Sequence, residues 1–111
     1  MQMAIEELAG NVTKVAFDGR FDIAGAEAVD LKMNVLAGTK KLILIDMQKV
    51  SFLGSMGLRT IVSAARAVKG RGGKIAVFGP DQGVEKVLTM SGVNAIVPIH
   101  HDLDSAMAAL Q

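Results

Sequence analysis

The chain has 111 residues, half of them apolar, with 12 basic and 11 acidic side chains for a formal charge of +1, and no cysteine. That is one domain's worth of chain, with enough apolar material for a core. Its near-neutral charge gives no electrostatic case for nucleic acid or an anionic membrane surface, and disulfide or thiolate chemistry is excluded. No basic-then-apolar leader opens the sequence and no apolar run approaches the length of a membrane span, so a soluble cytoplasmic domain without membrane insertion is expected.

Residues 3–8 and 12–18 alternate loosely about Gly10-Asn11, a turn signal, and read as a hairpin. Asp22 is placed to cap a helix carrying Ala26, Val29, Met33 and Leu36 at spacings of three and four, with Gly38 at its stop. Lys41 to Met47 is almost continuously apolar, as a strand inside a parallel or mixed sheet should be, and Asp46 marks its end. A helix from about Ser55 to Lys69 follows, with Ser55 as its cap and Leu58, Ile61, Val62 and Ala65 inward. Lys74 to Phe78 is another buried strand. Pro80-Asp81 opens a short helix with Val84, Val87 and Leu88 inward, stopped by Gly92. Ala95 to Ile99 reads as a last short strand, and Asp102 caps a terminal helix with Leu103, Ala106, Met107 and Leu110 on one face. The order ββαβαβαβα predicts a single α/β domain over residues 1–111: a mixed sheet of about five strands with helices mainly on one face.

Ser55 stands where a strand hands over to a helix, between Gly54 and Met56-Gly57. A serine there can satisfy the free N–H groups of the first turn. The same N–H groups favour an anion, so a phosphate on this hydroxyl would be tolerated by the fold and felt by a partner. With 58, 61, 62 and 65 inward, Met56, Arg59, Thr60, Ser63 and Arg66 fall on the outward face headed by Ser55. Met and Arg suit a docking surface, and an exposed helix that merely carries long side chains has the same pattern.

Other chemistries fit less well. Gly54-Ser55-Met56-Gly57 is not the Gly-x-Ser-x-Gly elbow of a nucleophilic serine, and no histidine stands in an orienting position. Gly70-Arg71-Gly72-Gly73 lies between a helix and a strand, the wrong side for a phosphate loop, and reads as a helix stop. His100-His101 are adjacent, so their side chains diverge, and no cysteine supports a metal site; they read as a solvated pair. Arg66, Lys69, Arg71 and Lys74 read as a solvated basic rim, available to an acidic partner. No cofactor is expected.

Asp46-x-x-x-Val50-x-Phe52-Leu53-x-Ser55-x-Gly57-Leu58 resembles the signature of STAS domains, specifically the anti-sigma factor antagonists. Gly19-Arg20-Phe21-Asp22 resembles the family's Gly-x-Leu-Asp turn ahead of the first helix, and Lys69-Gly70-Arg71-Gly72-Gly73-Lys74 leading into a strand is a third match. The family's usual core is Asp-Ser-x-Gly-Leu, and Gly54 stands here in place of the Asp. The resemblance implies a STAS-like fold and a phosphoacceptor that binds partners and is not an enzyme. Such an antagonist, unmodified, binds an anti-sigma factor serine kinase and frees a sigma factor for transcription. The kinase phosphorylates the serine, here Ser55, and a PP2C-type phosphatase resets it. The resemblance also implies a partner surface of Asp22, Gly54, Ser55, Met56, Gly57, Arg59, Thr60, Ser63 and Arg66, with Asp22 and Asp46 adding negative charge near Ser55. A monomer or weak homodimer is implied. Alternative roles are a scaffold subunit of a signalling assembly, a STAS subunit serving a transporter and, from the enzyme class, a small hydrolase using Ser55.

Overall fold

Gly10 and Asn11 both take positive φ, 74° and 62°, the left-handed conformation that Gly and Asn reach most easily. They close the hairpin between β1 (Gln2–Leu8) and β2 (Val12–Phe21) in the computed structural model, which describes residues 1–111. The remaining elements are α1 (Ile23–Thr39), β3 (Leu42–Leu53), α2 (Ser55–Gly70), β4 (Lys74–Phe78), α3 (Gln82–Met90), β5 (Ile99–His100) and α4 (Leu103–Ala109). The strands lie in the order β1-β2-β3-β4-β5. β1 and β2 are antiparallel and every other neighbouring pair is parallel, so the sheet is mixed, as expected.

Alternation along the strands decides the two faces. Val15, Phe17, Ile43, Ile45, Met47, Ile75 and Val77 point one way and form the main core with Ala26, Val29 and Met33 of α1, Ile61, Ala65 and Val68 of α2, and Val84 and Leu88 of α3. Val12, Leu44, Ala76 and Phe78 point the other way and are covered by Ala106 and Leu110 of α4. Three helices thus pack on one face and the short terminal helix on the other.

Several expectations need correction. β3 runs on to Leu53, so Asp46 lies within the strand and does not end it. α1 passes Gly38 and ends at Thr39, and Ala37 takes the buried place expected for the half-buried Leu36. The buried stripe of α2 is turned: Gly57, Thr60, Ile61, Ala64, Ala65 and Val68 are inward, while Leu58 and Val62 are half-buried. Ala95 to Ile99 is not a strand. Val93–Ala95 form a 3-10 turn, the N–H groups of Ile96 and Val97 donate to the Val93 carbonyl, and only Ile99 and His100 remain free to pair with β4. Leu103 begins a helix of two turns whose buried contacts come from Ala106 and Leu110, and it is exposed.

The glycine-rich turn after α2 is a helix stop, as read from sequence. Gly72 has φ 81°, and a Cβ on Gly73 would lie 2.3 Å from the Lys41 carbonyl oxygen. The basic rim is exposed, as expected, and three of its members also serve the backbone. Arg71 Nη2 donates to the carbonyls of Ala37 (2.5 Å) and Lys40 (2.6 Å) at the end of α1, Lys69 donates to the Ile96 carbonyl, and Lys74 donates to that of Gln111 (2.7 Å). A cation at a helix C-terminus also meets the negative end of its dipole.

Candidate functional site

The site lies where the parallel strands β2 and β3 end side by side, with Phe21 in register with Leu53. Each strand passes at once into a helix. Ligand sites of α/β sheets favour this carboxyl edge, where helix N-termini gather. After Phe21, Asp22 caps α1, its Oδ1 accepting from the Gly25 N–H at 2.9 Å. After Leu53, Gly54 caps α2. Its backbone is extended (φ −106°, ψ −175°), its N–H donates to the Phe21 carbonyl at 3.0 Å, and its carbonyl accepts from Leu58 N–H at 3.0 Å. Ser55 is therefore the first residue of the helix and not its cap, a correction to the sequence reading. Leu53 ends the strand one residue before the cap, so the cap falls on Gly54, the place where the resembling family has Asp.

Two glycines let both helices sit tight against the end of β2. A Cβ on Gly25 would lie 2.2 Å from the Arg20 carbonyl oxygen, and a Cβ on Gly57 would lie 2.7 Å from that of Phe21 and 2.8 Å from the Phe21 ring. Both positions are the third residue of their helices.

Between the helix starts opens a cleft of about 370 Å³ lined by Arg20, Asp22, Ile23, Phe52, Gly54, Ser55 and Met56. The Arg20 guanidinium lies 4.4 Å from the centre of the Phe52 ring, and its Nε is 3.4 Å from Asp22 Oδ2. The Asp22 carboxyl is held below the ordinary carboxylate range, first by the Gly25 N–H; desolvation pulls the other way, and the hydrogen bond and charge of Arg20 add to the lowering. It is thus a fixed negative charge beside Ser55 at neutral pH. Ser55 is exposed, and its side chain caps nothing.

The other expected site residues separate into three groups. Ser55, Arg59, Ser63 and Arg66 form one exposed row on α2. Met56 is half-buried and packs against the core, and Gly57 is buried. Thr60 is buried, contrary to expectation. Its hydroxyl lies 2.5 Å from Asp30 Oδ1 of α1 and 3.1 Å from the Met56 carbonyl, so it joins the two helices. Asp46 is also misplaced in the sequence reading. It is buried beside Lys14 (3.5 Å), accepts from the Gln48 N–H (2.9 Å), and lies seven residues before the end of β3, roughly 20 Å from the Ser55 edge at ~3.3 Å per residue. Its charge does not act on Ser55.

Arg20, Ile23 and Phe52 belong to the cleft and were not among the expected site residues. Arg20 and Phe52 meet because they are register partners on β2 and β3, which no local spacing reveals. Of the two histidines, His101 is exposed as expected, with its Nε2 2.7 Å from Glu85 Oε1, whereas His100 is half-buried and its Nε2 is buried without a hydrogen-bond partner. No three His, Cys, Asp or Glu side chains gather as a metal site.

Comparison with known proteins agrees with this architecture. The model of the STAS domain matches residues 3–106. Over its full length the chain is 26% identical to the anti-sigma F factor antagonist of Paenibacillus polymyxa, of which it covers 96%. Its fold matches an anti-sigma factor antagonist from Mycobacterium paratuberculosis with a TM-score of 0.88 at 24% identity, covering 98% of this chain and 92% of that one. It matches the phosphorylated form of the Bacillus cell fate determinant SpoIIAA with a TM-score of 0.75 at 17% identity, covering 99% and 100%. With both sheet order and family model agreeing over nearly its whole length, the chain belongs to the STAS domain family.

Proposed function

We propose that this domain is an anti-sigma factor antagonist that binds an anti-sigma factor serine kinase when unmodified and releases it when Ser55 is phosphorylated. A PP2C-type phosphatase restores the binding form, and release of a sigma factor carries the signal to transcription. The observation that carries this reading is the exposed Ser55 at the first position of α2, under a cap with no side chain. The likeness in name of the Paenibacillus relative supports the same role.

The chemistry favours a switch over a catalytic serine. No base orients the Ser55 hydroxyl, and the residues lining its cleft are Arg20, Asp22 and apolar or small groups. Because Gly54 supplies no acceptor, the first N–H groups of α2 are free to meet a phosphate, and the Arg20 guanidinium lies in the same cleft. Asp22 opposes it. A group of about −1.5 to −2 charge can therefore be held without unfolding the helix, while a partner seated on this edge meets a new charge. The docking surface runs from Asp22 and Ser55 along Arg59, Ser63 and Arg66, with Met56 at its border; Thr60 supports it from below.

Incubation with the kinase and ATP should add one phosphate, localised to Ser55 by fragment mass spectrometry and absent from Ser55→Ala. Phosphate on Ser51 or Ser63 with Ser55 untouched would overturn the assignment.

A further inference from the structure

α1 is apolar on both sides. Its inner side buries Ala26, Val29, Met33 and Ala37. Its outer side carries Ala24, Ala28, Leu31, Val35 and Gly38, all exposed, with Leu31 at 77% and Val35 at 58%. A helix on the surface of a soluble domain normally turns polar residues outward, as α2 does with Ser55, Arg59, Ser63 and Arg66. A helix with apolar stripes on two opposite sides leaves its outer stripe open to a second packing contact.

The outer residues follow one another by four, three, four and three, the spacing of a seam between two helices. The small residues Ala24, Ala28 and Gly38 permit close approach, and nothing lies within 4 Å of where a Cβ on Gly38 would be. Glu27 and Lys32 flank the seam on opposite sides. Both are exposed, and neither belongs to any of the chain's ion pairs. In a parallel pair of such helices, the residue just before a seam position faces the residue five further along in the partner. Glu27 of each copy then meets Lys32 of the other, giving two opposite-charge pairs. In an antiparallel pair like flanks meet, Glu27 with the Asn34 side and Lys32 with its own side, and no opposite charges come together.

We infer that this face is a homodimer contact, in which α1 packs parallel to α1 of a second copy along Ala24, Ala28, Leu31, Val35 and Gly38. A second copy is the occupant because the face carries its own charge complement. The contact is a single helix pair, at the small end of specific interfaces (below ~1,200 Å²), so the dimer is reversible. Since Asp22 heads α1, a parallel pair sets both Ser55 clefts at the same end of the assembly. The inference does not depend on what binds there.

Sedimentation velocity over a concentration series tests it with the intact chain. The mass should rise from one chain to two, and Leu31→Gln/Val35→Gln should stay at one chain with an unchanged circular dichroism spectrum. Lys32→Glu should weaken dimerisation at least several-fold, and Glu27→Lys/Lys32→Glu should restore it. A single-chain mass at every concentration overturns the inference, as does a dimer indifferent to the Leu31/Val35 variant. Loss of kinase binding in that variant with no change in mass would assign the face to a different partner. A dimer lost in Leu31→Gln/Val35→Gln but indifferent to both charge variants would overturn the parallel arrangement.

Discussion

Asp22 and Gly54 hold equivalent places on adjacent parallel strands: each is the residue after its strand and the cap of the helix that follows. The Gly54 N–H bond to the Phe21 carbonyl ties the two caps together at 3.0 Å. Only Asp22 has a side chain that can accept. α1 thus begins with its donors partly satisfied, and α2 begins with them open, beside Ser55. That asymmetry makes the Ser55 position a better place for an added anion than an ordinary helix start whose cap is filled.

A permanent negative charge at this point should act on partners and not on the fold. Ser55→Asp is expected to keep the circular dichroism spectrum of the natural protein and to lose most of its affinity for the anti-sigma factor kinase in a titration. An acid at the first helical position is favoured by the helix dipole, by about 0.3–1 kcal/mol, which is why unfolding is not expected. A variant that binds as before would remove the charge-based switch.

Gly54→Asp separates the roles of cap and of local charge. A Cβ at 54 would lie 3.0 Å from the edge of the Phe52 ring, which is itself part-exposed and can turn. Asp caps better than Gly by a few tenths of a kcal/mol, so thermal unfolding should move up by about 1–3 °C. Phosphorylation by the same kinase should proceed in both proteins, because Asp22 already supplies a carboxylate to the cleft. A rate near zero in the natural chain, rescued by the substitution, would make it a constitutive binder or scaffold.

The two glycines of α2 at positions 57 and 70 should differ sharply. Gly57→Ala forces a methyl against the Phe21 carbonyl and ring, where backbone must move, and should cost roughly 1–3 kcal/mol. Nothing lies within 4 Å of a Cβ on Gly70, so Gly70→Ala should be neutral or gain up to about 1 kcal/mol from its better helix propensity. Denaturant titration of the pair decides it; equal midpoints would show that the helix does not sit as tightly on β2 as the geometry requires.

Thr60 and Arg59 are neighbours in sequence with opposite expected effects. Thr60→Val removes the hydroxyl that pairs with Asp30 between the helices and should lower stability by about 1–2 kcal/mol, with kinase affinity unchanged in the folded fraction. Arg59→Ala should leave stability within about 0.5 kcal/mol and weaken kinase binding, since interface energy concentrates in a few exposed anchors. Normal binding by Arg59→Ala together with sensitivity on α4 would move the docking surface to the other face of the sheet.

Local patterning was enough to read most elements. Asp22, Asp81 and Asp102 each cap a helix through the N–H three residues on, a bond made within one turn and so visible in the spacing. Continuous apolar runs identified β3 and β4 as interior strands, and the Ser55-x-Gly57-Leu58 core brought the edge of β3 to attention. What the sequence left undecided depends on neighbours distant in the chain. The largest apolar residues of α2 place Thr60 outward; packing against α1 turns the helix so that Thr60 faces Asp30. The apolar run from Lys41 to Met47 places a strand end at Asp46, but pairing with β2 carries the strand on to Leu53 and takes Asp46 away from Ser55. The cap at Gly54 and the Arg20–Phe52 stack follow from the β2–β3 register, a non-local quantity. The sequence by itself determined the elements, their order and the serine at the junction, since these rest on periodicity and capping within a few residues. Tertiary structure alone decided which side chains share the cleft with it, because strand register and helix rotation are set by packing across the whole sheet.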